Sequence, residues 1–320
     1  MLIRRFFPAA SFLAFCFAAS CALLGLQSHA QSAFPDKCDN GNPLPFDAIK
    51  VSHPLDGSCG IIGKTTSSVS SHAQNSAKNN FCAVATSGTP EIFTPQMLTD
   101  LQASAGLVSG QGKEPPDRGD EQAAGEGKLI RMKAFLIEAH HADLGGGESV
   151  NCNGPKEEDN DIHIAFATDS GAEECSSVSA EISPHFRPAS WNEIGHYEKY
   201  NSSSHLYAVD PQISARLQSQ AYRVTGQLFF DASHGPCPCG TKCNPVRSSV
   251  WEIHPVYAIE VCRAGATCDV NTDSDWVAFD TWWTSLTPLK KVRPPHSHTP
   301  HEPKTPAKPK TPHKPATPNP

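Results

Sequence analysis

The residues with the greatest capacity for chemistry are three acid–imidazole pairings, Asp161 with His163, Asp231 with His234 and Glu252 with His254, together with Glu181. Carboxylates and imidazoles held a few ångströms apart shift one another's pKa values, chelate a divalent metal, or serve as general acid and base. The six paired residues are the catalytic candidates, and His163, His254 and Asp231 are the metal-ligating ones. On a β-strand, residues two apart share a face, so Asp161 lies beside His163 and Glu252 beside His254. The competing expectation is a plain solvated sheet face, with Asp231 and His234 stabilising a turn. No Gly-x-Ser-x-Gly, His-Glu-x-x-His, phosphate-loop or dinucleotide fingerprint occurs, so no familiar enzyme class announces itself.

A second set of oxygen ligands is Asp269, Asn271, Asp273, Asp275 and Asp280, at positions 1, 3, 5, 7 and 12 of an EF-hand-like calcium loop. Position six is Ser274 where such loops use Gly, and Asp280 is shorter than the usual bidentate Glu. The alternative is an Asx-rich turn feeding a helix.

The elements that must position these residues follow from periodicity. Asp161 to Thr168 alternates Ile162, Ile164 and Phe166 against Asp161 and His163, and Ser177 to Ser183 alternates Val178, Ala180 and Ile182 against Ser179 and Glu181. Period two predicts half-buried strands. Leu129 to Ala139 predicts a long bent strand. Ala221 to Asp231 and Ser249 to Cys262 predict two more, with Pro255 marking a bulge or an edge. A short helix is expected over 211–220. Three strands, a helical connection and two strands are the element order of an OB-type barrel. The predicted fold is therefore mainly β: an OB-like five-stranded small barrel with short flanking helices, stabilised by disulfides. Trp276, Phe279, Trp283 and Leu286 predict a final helix packed on the barrel.

The segments DNDIHI, AEIS, RVTGQLFFDASH and SVWEIHPVYAIEV resemble a group of uncharacterised exported bacterial domains. Their pattern is an Asp-x-His strand, a Gly-x-x-x-Phe-Asp-x-x-His strand and a Glu-x-His-Pro strand. The matching positions are Asp161 and His163; Gly226, Phe230, Asp231 and His234; and Glu252, His254 and Pro255. The resemblance covers roughly Leu129 to Cys262 and implies one domain, with no established activity attached.

The whole chain has 320 residues, 28 of them Pro and 12 Cys, with 38% apolar and 18% charged side chains. That composition excludes a multi-span membrane protein and a coiled coil. Arg4 and Arg5, an apolar stretch from Phe6 to Leu26 and Ser28-His29-Ala30 predict a signal peptide over 1–30, cleaved after Ala30; an uncleaved anchor is the alternative. The mature chain is thus expected to be secreted or periplasmic, with no transmembrane segment. It keeps ten cysteines, Cys38, Cys59, Cys82, Cys152, Cys175, Cys237, Cys239, Cys243, Cys262 and Cys268. An even number in an oxidising compartment predicts disulfides rather than a zinc knuckle at Cys237, Cys239 and Cys243. Cys262 with Cys268, and Cys152 with Cys175, are candidate pairs.

Residues 31–127 read as a weakly structured, Cys-containing region with one short helix after Thr94, closing in a linker over 109–127. The barrel domain with its Trp-rich helix occupies 128–288. From residue 31 to 289 there are 17 Lys/Arg against 32 Asp/Glu, whereas the disordered basic Pro/Lys/Thr-rich tail over 289–320 has seven Lys/Arg against Glu302 alone. An acidic body argues against a nucleic-acid partner; the tail suits an anionic cell-envelope polymer or serves as a spacer. The function expected is an exported β-barrel binding or structural module for a small ligand or envelope component. The alternative is a metal-assisted hydrolase of phosphodiester or other ester bonds, with a divalent metal as its cofactor.

Overall fold

The structure is a computed structural model that describes residues 63–64, 69–79, 89–104, 106–107, 109, 118–142, 148–154, 159–184, 187–191, 198–201, 206–209, 211–238 and 246–286. The leader over 1–30, the tail over 289–320 and Cys38, Cys59, Cys82, Cys239 and Cys243 lie outside the described residues.

In chain order the elements are α1 (Val69–Lys78), β1 (Glu91–Phe93), α2 (Pro95–Ser104), α3 (Gly119–Ala124), β2 (Leu129–His141), β3 (Ile162–Ala167), β4 (Val178–Ile182), β5 (Glu198–Asn201), β6 (Leu206–Val209), α4 (Pro211–Gln218), β7 (Ala221–Phe230), β8 (Trp251–Cys262), β9 (Trp276–Ala278) and α5 (Phe279–Ser285). Five of the strands close on themselves in the order β2, β3, β4, β8, β7 and back to β2. Closure needs one strand to serve two neighbours. The 13-residue β2 does so, pairing with β7 through Leu129–Phe135 and with β3 through Phe135–His141. All contacts are antiparallel except β4 with β8, which run parallel at Ala180 and Ile253. This is the OB-like barrel expected from the element order. Two short strands extend it: β1 lies parallel to β2, and β9 pairs with β8.

Alternation decides which side chains fill the barrel. Ile162, Ile164 and Phe166 face Ile182, Ala180 and Val178 across the β3–β4 ladder, and all six are buried. Val224 and Leu228 on β7 oppose Ile259 and Ile253 on β8. The ladder between β7 and β8 slips on either side of Gly226, beside Pro255, giving the bulge that Pro255 predicts. Gly is required there because a Cβ would run into the Pro255 carbonyl oxygen and the Ile253 side chain.

One end of the barrel is packed by aromatics. Phe279 stacks on Trp191 at 4.7 Å between ring centroids and also meets Tyr222, which in turn packs edge-on against Phe166. The final helix is shorter than its aromatic spacing predicts. Trp276 belongs to β9 and only Phe279 onward is helical, because the Cys262 to Trp276 pairing holds that residue extended against β8.

Within 31–127 the helix after Thr94 forms as Pro95–Ser104, with Thr94 Oγ1 accepting from the Met97 amide. The structure adds α1 and α3 to it. Neither carries an apolar stripe that periodicity could detect, and α3 falls inside the expected linker. Arg118, in the left-handed backbone region, precedes α3 and is fixed by Glu126 and by the carbonyl of Phe230, 2.5 Å away. The β5–β6 hairpin likewise falls where no strand was expected.

Two disulfides join described residues, Cys175–Cys237 and Cys262–Cys268. The second is the pair expected from spacing. The first corrects the Cys152–Cys175 pairing: Ser248 donates its amide to the Ser177 carbonyl at 2.7 Å, bringing the chain after β7 against the start of β4, where Cys175 meets Cys237 instead. Oxidised Cys237 is no thiolate ligand for zinc. These cross-links fit a chain folded in an oxidising extracytoplasmic compartment. Among the described residues no helix is long and apolar enough to cross a membrane.

Candidate functional site

The outward faces of β3, β4 and β8 bring most of the chemically capable residues together. His163 on β3 lies directly across from Glu181 on β4, with Nε2 3.5 Å from Glu181 Oε1. On β8, His254 points Nδ1 to within 2.7 Å of Glu181 Oε2 and Nε2 to 3.7 Å from Asp161 Oδ2. Glu252 Oε1 stands 3.5 Å from His254 Nδ1. Asp161 immediately precedes β3, and the β2–β3 connection fixes it: Asn151 donates to Oδ1 at 2.8 Å, and the Asp161 amide donates to Glu148 at 2.9 Å.

Asp231 and His234 enter the same network by a different route. Arg247, in the connection between β7 and β8, bridges the Glu252 carboxylate to Asp231 Oδ2, the latter at 2.5 Å. His234 Nδ1 is 2.6 Å from that same Asp231 oxygen. His234 is exposed at the rim, and neither it nor Asp231 joins Asp161 and Glu181 in the group around His254.

This face is not solvated. Helix α1 lies across it, and Asp161, Asp231, Arg247, Glu252 and His254 are each 0% exposed. Lys78 at the end of α1 reaches Glu181 Oε2 at 3.5 Å, Gln74 accepts from the Ala232 amide and donates to Ser233, and Gln227 donates to the Ala77 carbonyl at 2.8 Å. The remaining access is at Glu148 and His163, whose side chains keep 20% and 12% exposure. His140 lies edge-on to His163 there and pairs with Glu138.

Burial and mutual charge split the titrations. Burial, then the Glu148 carboxylate, pushes Asp161 up to about 7. Burial also opposes the charge on Glu181, but His163, Lys78 and His254 outweigh it and hold this carboxyl well below the usual range. For His163 and His254, burial would favour the neutral ring. Glu181, joined by Glu148 at His163 and by Glu252 at His254, overrides it and raises them to about 9 and about 10. Asp231 is held low against its burial by Arg247 and His234.

Despite this compensation, several polar atoms find no hydrogen-bond partner: Asp161 Oδ2, Glu252 Oε1, both nitrogens of His254 and both of His163. The close approach of His254 to Glu181 is an ion pair. Unsatisfied buried polar atoms are uncommon and costly. Two of these residues, Asp161 and His254, stand with Glu181 in a group whose ligand atoms lie within 4.8 Å of one another. This buried group could hold a metal ion. It is the one such group among the described residues.

The metal set expected from sequence is thereby revised. His254 belongs to it, His163 stands one contact behind Glu181, and Asp231 is engaged by Arg247. Glu181 supplies the missing carboxylate; it is legible once His163 and Glu181 are seen in register. Lys78, Glu148, Asn151 and Arg247 carry no local signal, since each lies outside the barrel strands.

The calcium loop does not assemble. Asp273 turns to Arg223 at 2.7 Å, and Asp280 caps the Ala189 and Ser190 amides. Asp275 accepts from Thr267 and from the Asp269 amide, while Asp269 accepts from the Asn271 amide. These are the contacts of an Asx-rich turn, with each acid spent on a different neighbour. Compared with known proteins, the chain matches no family model, no curated protein and no solved structure.

Proposed function

We propose that the chain is an exported, disulfide-stapled OB-like binding module built around a divalent cation held by Asp161, Glu181 and His254. The supporting observation is the buried convergence of ligand atoms of Asp161, Glu181 and His254, in which Asp161 Oδ2 and the His254 nitrogens meet charges but no hydrogen-bond partner. One imidazole with two carboxylates suits zinc or manganese better than calcium, which favours an all-oxygen shell. The leader expected over 1–30 and the cross-links support a secreted or periplasmic setting, and the basic tail suits an anionic envelope polymer.

Metal analysis of the full chain and calorimetric titration with Zn²⁺ and Mn²⁺ test this reading. One equivalent should bind, Glu181→Gln should abolish it, and cation at a hundred times its Kd should stabilise the fold by about 2.7 kcal/mol. Identical titrations for the parent and Glu181→Gln would refute it.

The hydrolase reading draws on a separate observation. Asp161 is raised to about 7 while neighbouring Glu181 stays ionised, the division of labour that acid–base catalysis uses. A phosphodiester or ester screen decides it: Asp161→Asn should remove any hydrolysis found, and a blank screen with the cation bound leaves the binding module.

A further inference from the structure

Helix α1 covers the cation cluster by unusual means. Among its described side chains Ala77 is the one buried apolar group, packed on Phe229. The other buried ones among the described side chains are Gln74, Asn75, Ser76 and Lys78. Gln74 bonds Arg118, Ser233 and the Ala232 amide, and Asn75 bonds Ser149. Exchanging such bonds for water costs little, because a net intramolecular hydrogen bond is worth only about 1 kcal/mol. Helices held by apolar burial do not share that property. Elements with few buried apolar contacts are the ones that open locally.

What α1 places on the cluster is a charge. The Lys78 ammonium lies 3.5 Å from Glu181 Oε2, the same oxygen that sits 2.7 Å from His254 Nδ1. Glu181 Oε2 therefore faces both Lys78 and the ring that would ligate the cation. Around it stand the acids Asp161, Glu148, Glu252 and Asp231, partly offset by Arg247, His163, His254 and Lys78, of which His254 releases its ring proton on ligating a cation. Lifting α1 removes Lys78 from this balance and leaves the cluster short of one positive charge. In OB barrels the faces of the second and third strands, here β3 and β4, bind ligands, and on β4 that face is where Lys78 docks.

We infer that α1 is a displaceable lid whose Lys78 ammonium stands in for the external divalent cation, so that lid docking and cation binding oppose one another. The inference rests on the cation reading above and adds its regulation. By linkage, the factor by which Lys78 weakens the cation is the factor by which the cation loosens the lid.

The test uses the full chain, with Zn²⁺ as probe, and takes as site binding the difference between the chain and its Glu181→Gln variant. Lys78→Met should bind Zn²⁺ at least about tenfold more tightly, the scale of a close charge pair. Saturating Zn²⁺ should speed amide hydrogen exchange across residues 69–78 in the parent. Gln74→Ala loosens α1 while leaving the cluster intact, and should raise affinity about fivefold; it carries the test if Lys78→Met does not fold. Site binding with unchanged affinity in both variants and unchanged protection of α1 overturns the lid and leaves the cation centre standing. No site binding in any form overturns both.

Discussion

The two faces of the β3–β4–β8 sheet are buried alike and built from opposite chemistry. Inside, Ile162, Ile164, Phe166, Val178, Ala180, Ile182 and Ile253 fill the barrel, each at 1% exposure or less. Outside, under α1, Asp161, Glu181, Glu252 and His254 are equally hidden. The inner face is held by removal of apolar area from water, which is non-directional and tolerates small changes. The outer face holds together only because each charge meets an opposite one. Its stability is therefore conditional on every partner, on pH and on any cation, whereas that of the inner face depends on volume alone.

The sharpest way to break this contrast is Arg247→Ala. It strands Asp231 and Glu252 without their shared guanidinium in a fully buried setting, and should cost about 3–5 kcal/mol by urea unfolding. A cost below about 1 kcal/mol would mean that the outer face is hydrated in solution.

Alkaline titration of the chelated protein should give the next largest effect. His163 and His254 are raised to about 9 and about 10, above their unfolded value near 6.5. Their contribution is complete below about pH 6.5 and is lost as pH rises through 9 and 10. Asp161 is a raised acid: its folded form binds the proton between about 4 and 7, so stability rises as pH falls through that window. Thermal melts across pH 5–10.5 read both windows, in each of which stability falls as pH rises, and a flat profile would contradict the ionised cluster.

The inner face should give the smallest effect. Ile164→Val, one residue from His163 but pointing into the barrel, should cost about 1 kcal/mol at every pH. A pH-dependent penalty there would mean the two faces are coupled.

Much of the barrel was legible because its signals are local. Ile162, Ile164 and Phe166 announce a strand and a face within six residues, and Pro255 announces the slip beside Gly226. The site was legible in part for the same reason, since Asp161 with His163 and Glu252 with His254 must share faces. The calcium spacing failed because ligand order along a chain does not fix where carboxylates turn; Arg223 and the Ser190 amide claim two of them first.

Sequence alone determined which residues alternate, hence five strands, their order, and a polar set of acids and imidazoles on one side of them. Tertiary structure alone decided that this side is covered, that Lys78 and Arg247 complete its charge, and that Glu181 joins Asp161 and His254. The reason is physical. Periodicity reports apolar burial, but α1 is a polar helix whose Lys78 meets Glu181 across 103 residues of chain, and pairing between charges leaves no mark on local pattern.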